Sequence, residues 1–441
     1  MKILLVKCHK KTIYSWIEPI VTEPLELEYL SALLEKLQLQ HKVYDPLLEK
    51  SDFEEVFLAY EPDVLLLSGY ITAVDRMIDY SKYAKSKSPN VKVVIGGVHA
   101  EINYIDFFVN TIDVIVHSDG VKALEDLLEI KFDAEKLRKI HGIAFQEASK
   151  WWVNNKVNTC IEKLLLPNRS YFGKYKNRTK YLNYSPIAII KTALSCPFNC
   201  NFCYCKLLNS GTYATRTIDS VVEEIQGIDS KYIWIVDDSF LIDRSRVLEF
   251  INKIEKQKIN KKFIAYSRVD FIANNEDIME KLKNIGFIEL IVGMEAVEDE
   301  KLNNFNKSCS SDENKRTVRI LKSNNIRLTA LFIVGIDFTI KDFKKMRRWI
   351  REMKLESYTV SIYTPIKGTE HYTTYRGQIQ TKDWGKWDFL HLVIEPLHMS
   401  KALFYFQFYL IYVEQFFRSK YIRSFILKNL KNRIRFGGHN E

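Results

Sequence analysis

Short apolar runs alternate with helical repeats over the first 130 residues. KILLVK (2–7) is a continuous apolar run, the mark of a strand buried on both faces of a parallel sheet. In PLELEYLSALLEKL (24–37), Leu27, Leu30, Leu33, Leu34 and Leu37 recur at helical spacing. HKVYDP then reads as a short strand and DFEEVFLAY as a helix. DVLLLSGY (63–70), VKVVIGGVHA (91–100) and IDVIVHSDG (112–120) read as further strands, with VKALEDLLEI as the helix after the last. About five such alternations predict a doubly wound, Rossmann-like parallel sheet over residues 1–138. Ligands of such sheets sit beyond the carboxyl ends of the strands, which places 68–72, 96–100 and 117–120 at a binding crevice.

Residues 139–160 read as a hairpin, and 161–185, with Pro167 and many charges, as a connection. A second alternation begins at Ile187, where IAIIKTAL is a strand leading into a cysteine-rich loop. YIWIVDDSF, FIAYSRVDF, IELIVGMEA, RLTALFIVGID and SYTVSIYTPIKGT are the later strands, with helices between them. About six β/α units over 186–375 predict a partial (β/α)6 barrel of the TIM type, whose active site lies at the carboxyl ends of its strands. The cysteine loop, Asp237, Asp238, Ser267, Arg268, Glu295, Gly335 and Tyr363 all fall there. Residues 376–441 form a helical region, aromatic and then basic, and its apolar stretch at 402–417 is too short to span a bilayer.

Composition narrows the class. Of the 441 residues 46% are hydrophobic and 27% charged, which suits a folded chain of two or three domains and excludes disorder. The start lacks the apolar run and cleavage site of a signal peptide, and the cysteine usage suits a reducing compartment, so a cytoplasmic location is expected. The net charge of +10 is uneven: seven Lys or Arg and no acid lie between Arg418 and Asn440. Such a tail suits an anionic membrane surface, nucleic acid or plain solvent; solvent is the commonest case, and no nucleic-acid partner is expected. Phosphate-loop, dinucleotide, zinc-protease and serine-hydrolase motifs do not occur.

Four of the seven cysteines fall within SCPFNCNFCYC (195–205). Cys196, Cys200 and Cys203 make C-x3-C-x2-C. A structural zinc site usually takes four ligands as two separated pairs, and Cys8, Cys160 and Cys309 are single and scattered. Three thiolates on a [4Fe–4S] cluster instead leave one iron open to a ligand with nitrogen and oxygen donors.

The spacing, with Phe202 before the third cysteine and a strand before the first, resembles the signature of the radical S-adenosylmethionine (SAM) family. Arg216 with SVVEEI, then VDDSF, SRVD, KNIGFIELIVGMEAVEDEKLNNFNK and LFIVGID, follow in the order seen in that family. In the first domain EPLELEYLSALLEK, PDVLLLSGY, VVIGGVHA and DVIVHSDG resemble the branch with an N-terminal cobalamin-binding domain. The resemblance implies a [4Fe–4S] cluster on Cys196, Cys200 and Cys203, with Cys205 outside the ligand set. It implies that Phe202 packs near cluster or adenine, that Asp238, or its neighbour Asp237, takes the SAM amino group, and that Arg268 takes its carboxylate and Glu295 the ribose. Backbone near Val334 and Gly335 meets the adenine. Ser68, Gly69, Thr72, Gly96, Gly97 and Gly120 line the cobalamin, its nucleotide tail included. The D-x-H-x-x-G motif of cobalt-ligating domains is absent, so His99 and His117 are not expected to bind cobalt.

The implied activity is reductive cleavage of SAM to a 5′-deoxyadenosyl radical, then methyl transfer from cobalamin to an unactivated carbon. A cyclase or other C–C bond-forming enzyme in the same architecture is the alternative; a non-enzymatic cobalamin or metal sensor is a third reading. A methylthiotransferase is rejected, since its N-terminal domain carries three cysteines and this one has only Cys8. The implied partners are a small-molecule or lipid-like hydrophobic substrate and an electron donor such as flavodoxin or ferredoxin. A peripheral membrane contact would suit the aromatic and basic end of the chain.

Overall fold

The computed structural model describes residues 1–10 and 19–436, and the side chains as far as Asn429; the last residues of the basic tail lie outside this range. In the first sheet, Lys2–Lys7 pairs in parallel with Gln40–Tyr44 on one side and Val64–Ser68 on the other. Lys92–Gly96 and Val114–Val116 continue the sheet in parallel. The hairpin Ile143–Glu147 and Lys150–Val153 closes it antiparallel, giving seven strands. Side-chain alternation makes the sheet doubly wound. Ile3 and Leu5 pack with Leu27, Leu33 and Leu34 on one face, and Leu4 and Val6 with Phe53, Phe57 and Met77 on the other. The order of strands reverses beside Lys2–Lys7, so the crevice opens between its end and that of Val64–Ser68. The strand read over 91–100 stops at Gly96: Gly97 takes φ +97°, and His99 lies in the helix Val98–Asn103 beyond it.

Six parallel strands form the second sheet in chain order: Ile187–Ile190, Tyr232–Ile235, Lys262–Arg268, Phe287–Glu295, Arg327–Val334 and Ser357–Ile362. This is the partial barrel. Ala188, Ile190, Ile233 and Ile235 face the surrounding helices, while Ile187, Ile189, Trp234, Ile264 and Ile291 gather around Tyr181 on the other face.

An open barrel has two edge strands whose backbone groups need partners. Both edges are capped by side chains. At the first, Ile189 N donates to Glu23 Oε1 at 2.8 Å and Ile187 N to Thr179 Oγ1 at 3.1 Å. At the last, the helix Lys401–Arg418 lies along Ser357–Ile362. Its Tyr412 hydroxyl accepts from Val360 N at 3.0 Å and donates to Val360 O at 2.7 Å, and Gln415 Nε2 donates to Tyr358 O at 2.9 Å.

A buried charge cluster joins the two domains. Arg169, from the connection, pairs with Glu23 at 2.9 Å, with Glu28 at 3.2 Å and with Glu224; Arg216 also pairs with Glu224. Glu23, Glu28 and Glu224 are all buried. Two guanidiniums offset only two of the three carboxylates. Burial pushes Glu23 up to about 7 and Glu28 up to about 8.

Two measurements probe this cluster. Arg169→Met leaves buried carboxylates uncompensated and should cost about 3–5 kcal/mol in chemical unfolding. Glu23 and Glu28 hold protons in the native state that the unfolded chain has released, so stability falls as pH rises from the ordinary carboxylate range to about 8. Glu28→Gln should flatten that slope; an unchanged slope would show that this cluster does not set it.

Candidate active site between the two strand ends

The carboxyl ends of the two sheets face each other. Helix Val98–Asn103, after the fourth strand of the first sheet, lies against the turn Cys205–Gly211 just past the cysteines: Asn209 N donates to Glu101 Oε1. Asn103 Nδ2 donates to Lys367 O at 3.0 Å. Asp106 pairs with Lys367 and lies 2.9 Å from His99 Nε2. His99 is thereby held at the domain junction. His117 is buried beside the Tyr104 ring, with centroids 4.8 Å apart.

The cysteine loop is anchored at its entry and in its middle. Asp237 Oδ1 accepts from Thr192 N at 2.6 Å and Ala193 N at 3.1 Å, which fixes the entry to the loop. Asn201 N donates to Phe305 O at 3.3 Å and Asn306 Nδ2 to Asn199 O at 2.7 Å, which ties its middle to the segment after helix Asp299–Asn304. The Phe202 ring stands edge-on to Phe305, 5.1 Å away. Of the two acids in VDDSF, Asp237 is therefore committed to backbone. Asp238 instead keeps a buried Oδ2 with no hydrogen-bond partner.

All seven cysteines are free thiols. Burial pushes Cys196 up to about 11 and raises Cys200, whereas the Cys205 S–H beside Cys203 holds the latter down. Arg268 spreads its guanidinium over four neighbours. Nε donates to Asp270 at 3.0 Å and Nη2 to Lys307 O at 2.7 Å; Nη1 lies 3.7 Å from Cys200 Sγ, and the group sits 3.6 Å above the Phe198 ring. Arg268 thus faces the cysteine loop itself. Glu295, at the end of its strand, holds φ +57°, an uncommon conformation for a residue with a side chain. Its Oε1 accepts from the buried Lys307 ammonium at 2.7 Å. Gly335 is close to Asp337, whose Oδ1 a Cβ there would strike.

Two lysines missed by sequence reasoning belong to this place. Lys307 ends the NNFNK segment and lies against Arg268 and Glu295. Lys191, at the end of the first barrel strand, feels Asp238 and Asp237 from the barrel and Tyr70 from the first domain; together these groups more than offset the effect of burial and raise its pKa. Lys307 closes a landmark segment that sequence reading assigned no role, and Lys191 follows directly on the first barrel strand.

These donors fit a three-thiolate cluster and its ligand. Three thiols share one loop, a guanidinium faces one of them, and an unpartnered buried carboxylate oxygen stands ready for a cationic group. Among the described residues no three His, Cys, Asp or Glu side chains converge as one metal ion requires.

The crevice of the first sheet fits a broad ligand laid against backbone. A Cβ on Gly97 would stand 2.9 Å from Ser68 Oγ and 3.0 Å from Gly69 N, and one on Gly69 2.9 Å from Ala73 Cβ. Glycine therefore allows this floor to close. Gly96 and Gly120 have room around them, and Thr72 lies in the short turn Ile71–Ala73. The Ser68 hydroxyl donates to Glu26 Oε1 at 3.0 Å, and Glu26 pairs with Lys7, whose ammonium lies 5.0 Å from the centre of the Tyr70 ring.

Comparison with known proteins agrees with both halves. Residues 20–128 match the B12 binding domain and residues 190–350 the radical SAM superfamily. Hopanoid C-3 methylase of Methylococcus capsulatus is 25% identical over 391 residues, 87% of this chain and 74% of that protein. The solved structure of the radical SAM methyltransferase TsrM from Kitasatospora setae, with cobalamin and a [4Fe–4S] cluster bound, superposes with a TM-score of 0.72. The match covers 92% of this chain and 85% of TsrM at 16% identity. The cobalamin-dependent radical SAM enzyme OxsB, solved with aqua-cobalamin and SAM, gives a TM-score of 0.67 at 15% identity. Here 87% of this chain spans only 56% of OxsB.

Fold and site together define a radical SAM barrel preceded by a B12-binding domain. The chain joins a B12 binding domain to a radical SAM domain, and the cofactors of these domains are a [4Fe–4S] cluster, SAM and cobalamin.

Arg268→Gln removes a cation that faces Cys200. With cluster content unchanged, the midpoint potential of the cluster should fall, as followed by EPR-monitored redox titration. An unchanged potential would mean that the guanidinium does not act on the cluster.

Proposed function

We propose that the chain methylates an unactivated carbon of a hydrophobic small molecule. The observation that carries this reading is the apposition of the two strand ends, held by Asn209 N on Glu101, Asn103 on the Lys367 carbonyl and Asp106 on Lys367. A cofactor on the first sheet and a cluster on the cysteine loop would thus share one chamber. When bound, cluster and SAM supply a 5′-deoxyadenosyl radical able to take hydrogen from carbon, and methylcobalamin supplies the methyl group.

Cys196, Cys200 and Cys203 hold the cluster. Cys205 remains a thiol beside Cys203. Asp238, with its open oxygen, takes the SAM amino group. Lys307 stands beside Arg268 as a second cation for the carboxylate, and Glu295 is held by Lys307 where it can meet the ribose. Phe202 and the backbone at Gly335 flank the adenine. Ser68, Gly69, Thr72, Gly96, Gly97 and Gly120 shape the cobalamin cradle. The packed loop and facing domain exclude water from the chamber. A small electron carrier such as flavodoxin or ferredoxin supplies the reducing electron. The hopanoid relative supports a lipid-like substrate.

Anaerobic reconstitution should give about four irons and one corrin per chain. Replacing Cys196, Cys200 and Cys203 together with Ala should abolish 5′-deoxyadenosine release, while Cys205→Ser should keep a full cluster. With a hydrophobic acceptor and SAM labelled in its methyl group, label should appear in the product. A product one ring richer and unlabelled would instead make the enzyme a cyclase, and zinc without iron would remove the reading altogether.

A further inference from the structure

The helix Lys401–Arg418 has two apolar faces. Phe404, Gln407, Phe408, Ile411 and Gln415 are buried against the barrel. On the opposite side Phe406, Tyr409, Val413 and Phe417 recur at intervals of three and four residues, so they form one stripe. All four are exposed: Phe406 by 62%, Tyr409 by 37%, Val413 by 48% and Phe417 by 68%. Single exposed apolar residues are ordinary, but an aligned set of four with two phenylalanines is not. The stripe contributes nothing to capping the barrel edge, because Tyr412 and Gln415 do that from the other side.

The chain beyond the stripe is strongly cationic. The helix Lys420–Phe436 begins two residues after Arg418, and the segment 418–440 carries seven Lys or Arg and no acid. Of these, Arg418, Lys420 and Lys428 are exposed, with Leu427 exposed by 44% beside them. Arg351 and Arg347 flank the helix Lys401–Arg418 through Glu414. An aromatic stripe bounded by cations is complementary to one surface in particular: the anionic face of a phospholipid bilayer, where rings enter the acyl boundary and ammonium groups meet phosphate. No helix among the described residues is long and apolar enough to cross a membrane, so the contact is peripheral.

We propose that this helix pair docks the enzyme on an anionic membrane surface, with Phe406 and Phe417 as the inserting side chains. A lipid contact needs no chemistry at the cluster, so docking and methyl transfer stand or fall separately.

The test is flotation of the full reconstituted chain with phosphatidylglycerol–phosphatidylcholine vesicles and with phosphatidylcholine vesicles alone. Binding to the anionic vesicles, falling as salt rises, is expected. Phe406→Ser with Phe417→Ser should weaken it by about tenfold or more. Lys420→Gln with Lys428→Gln, at about 1 kcal/mol each, should lower the preference for anionic lipid by about thirtyfold. The phenylalanine variant should release 5′-deoxyadenosine as the parent does, which shows that it is folded. No flotation at low salt overturns the proposal, as does flotation that neither pair of substitutions alters. A dimer seen by light scattering that the phenylalanine substitutions dissociate also overturns it, because the stripe would then be a contact between copies. So does tighter binding to single-stranded RNA than to vesicles, lost in the lysine variant.

Discussion

Arg169 reaches three buried carboxylates and, through its Nη2, the Ile189 carbonyl of the first barrel strand. Glu23 and Glu28 belong to the first domain, Glu224 to the first helix of the barrel, and Arg169 to the chain that joins them. This one cluster ties together the first domain, the connection and the first strand and helix of the barrel. Glu23 also caps the backbone of the barrel's first strand, so the same carboxylate that orients the domains protects an edge. Removing water from so many charges is costly, and the cluster recovers it only in part, since Glu23 Oε2 and Arg169 Nε have no hydrogen-bond partner. The return is positional: the crevice of one sheet is held over the mouth of the other. A second clasp is Asp106, which bridges His99 and Lys367. A radical made at one strand end needs its acceptor close by and water kept away, and two interdomain clasps meet that requirement.

Within that frame the site is electropositive around Cys200 and electronegative toward Cys203 and Cys205, which Asp238 faces. Arg268 and Lys307 sit on the Cys200 side, and Asp238 and Asp237 on the side of Lys191. Such a division suits the zwitterionic amino-acid group of SAM in the way proposed above, carboxylate toward the cations and ammonium toward the open Asp238 oxygen. The uncommon backbone at Glu295 belongs to the same design, for it turns the side chain back onto Lys307.

Much of this was legible in the sequence, for identifiable reasons. Parallel strands buried on both faces read as continuous apolar runs, so KILLVK, DVLLLSGY and IAIIKTAL declared themselves. The fold places the cysteine loop, Asp238 and the glycines at or just past the ends of such runs, as the sequence reading expects. The features that stayed hidden depend on partners far apart in the chain. Arg268 looks like a free cation until the fold brings Lys307 O and Cys200 to it. Arg169 sits in a segment that reads as mere connection. Tyr412 and Gln415 look like ordinary members of an aromatic helix, and only the open barrel edge gives them a task. Ser68 reads as a ligand residue, yet its hydroxyl is engaged by Glu26, so its contribution to the crevice is shape.

If cobalamin and cluster share one chamber, as proposed, their unpaired electrons lie close enough to couple. EPR of the enzyme holding cob(II)alamin, recorded with the cluster oxidised and then reduced, reads that proximity. Reduction of the cluster should broaden the cobalt signal through coupling between the two spins. A cobalt spectrum indifferent to the state of the cluster would place the two cofactors in separate sites.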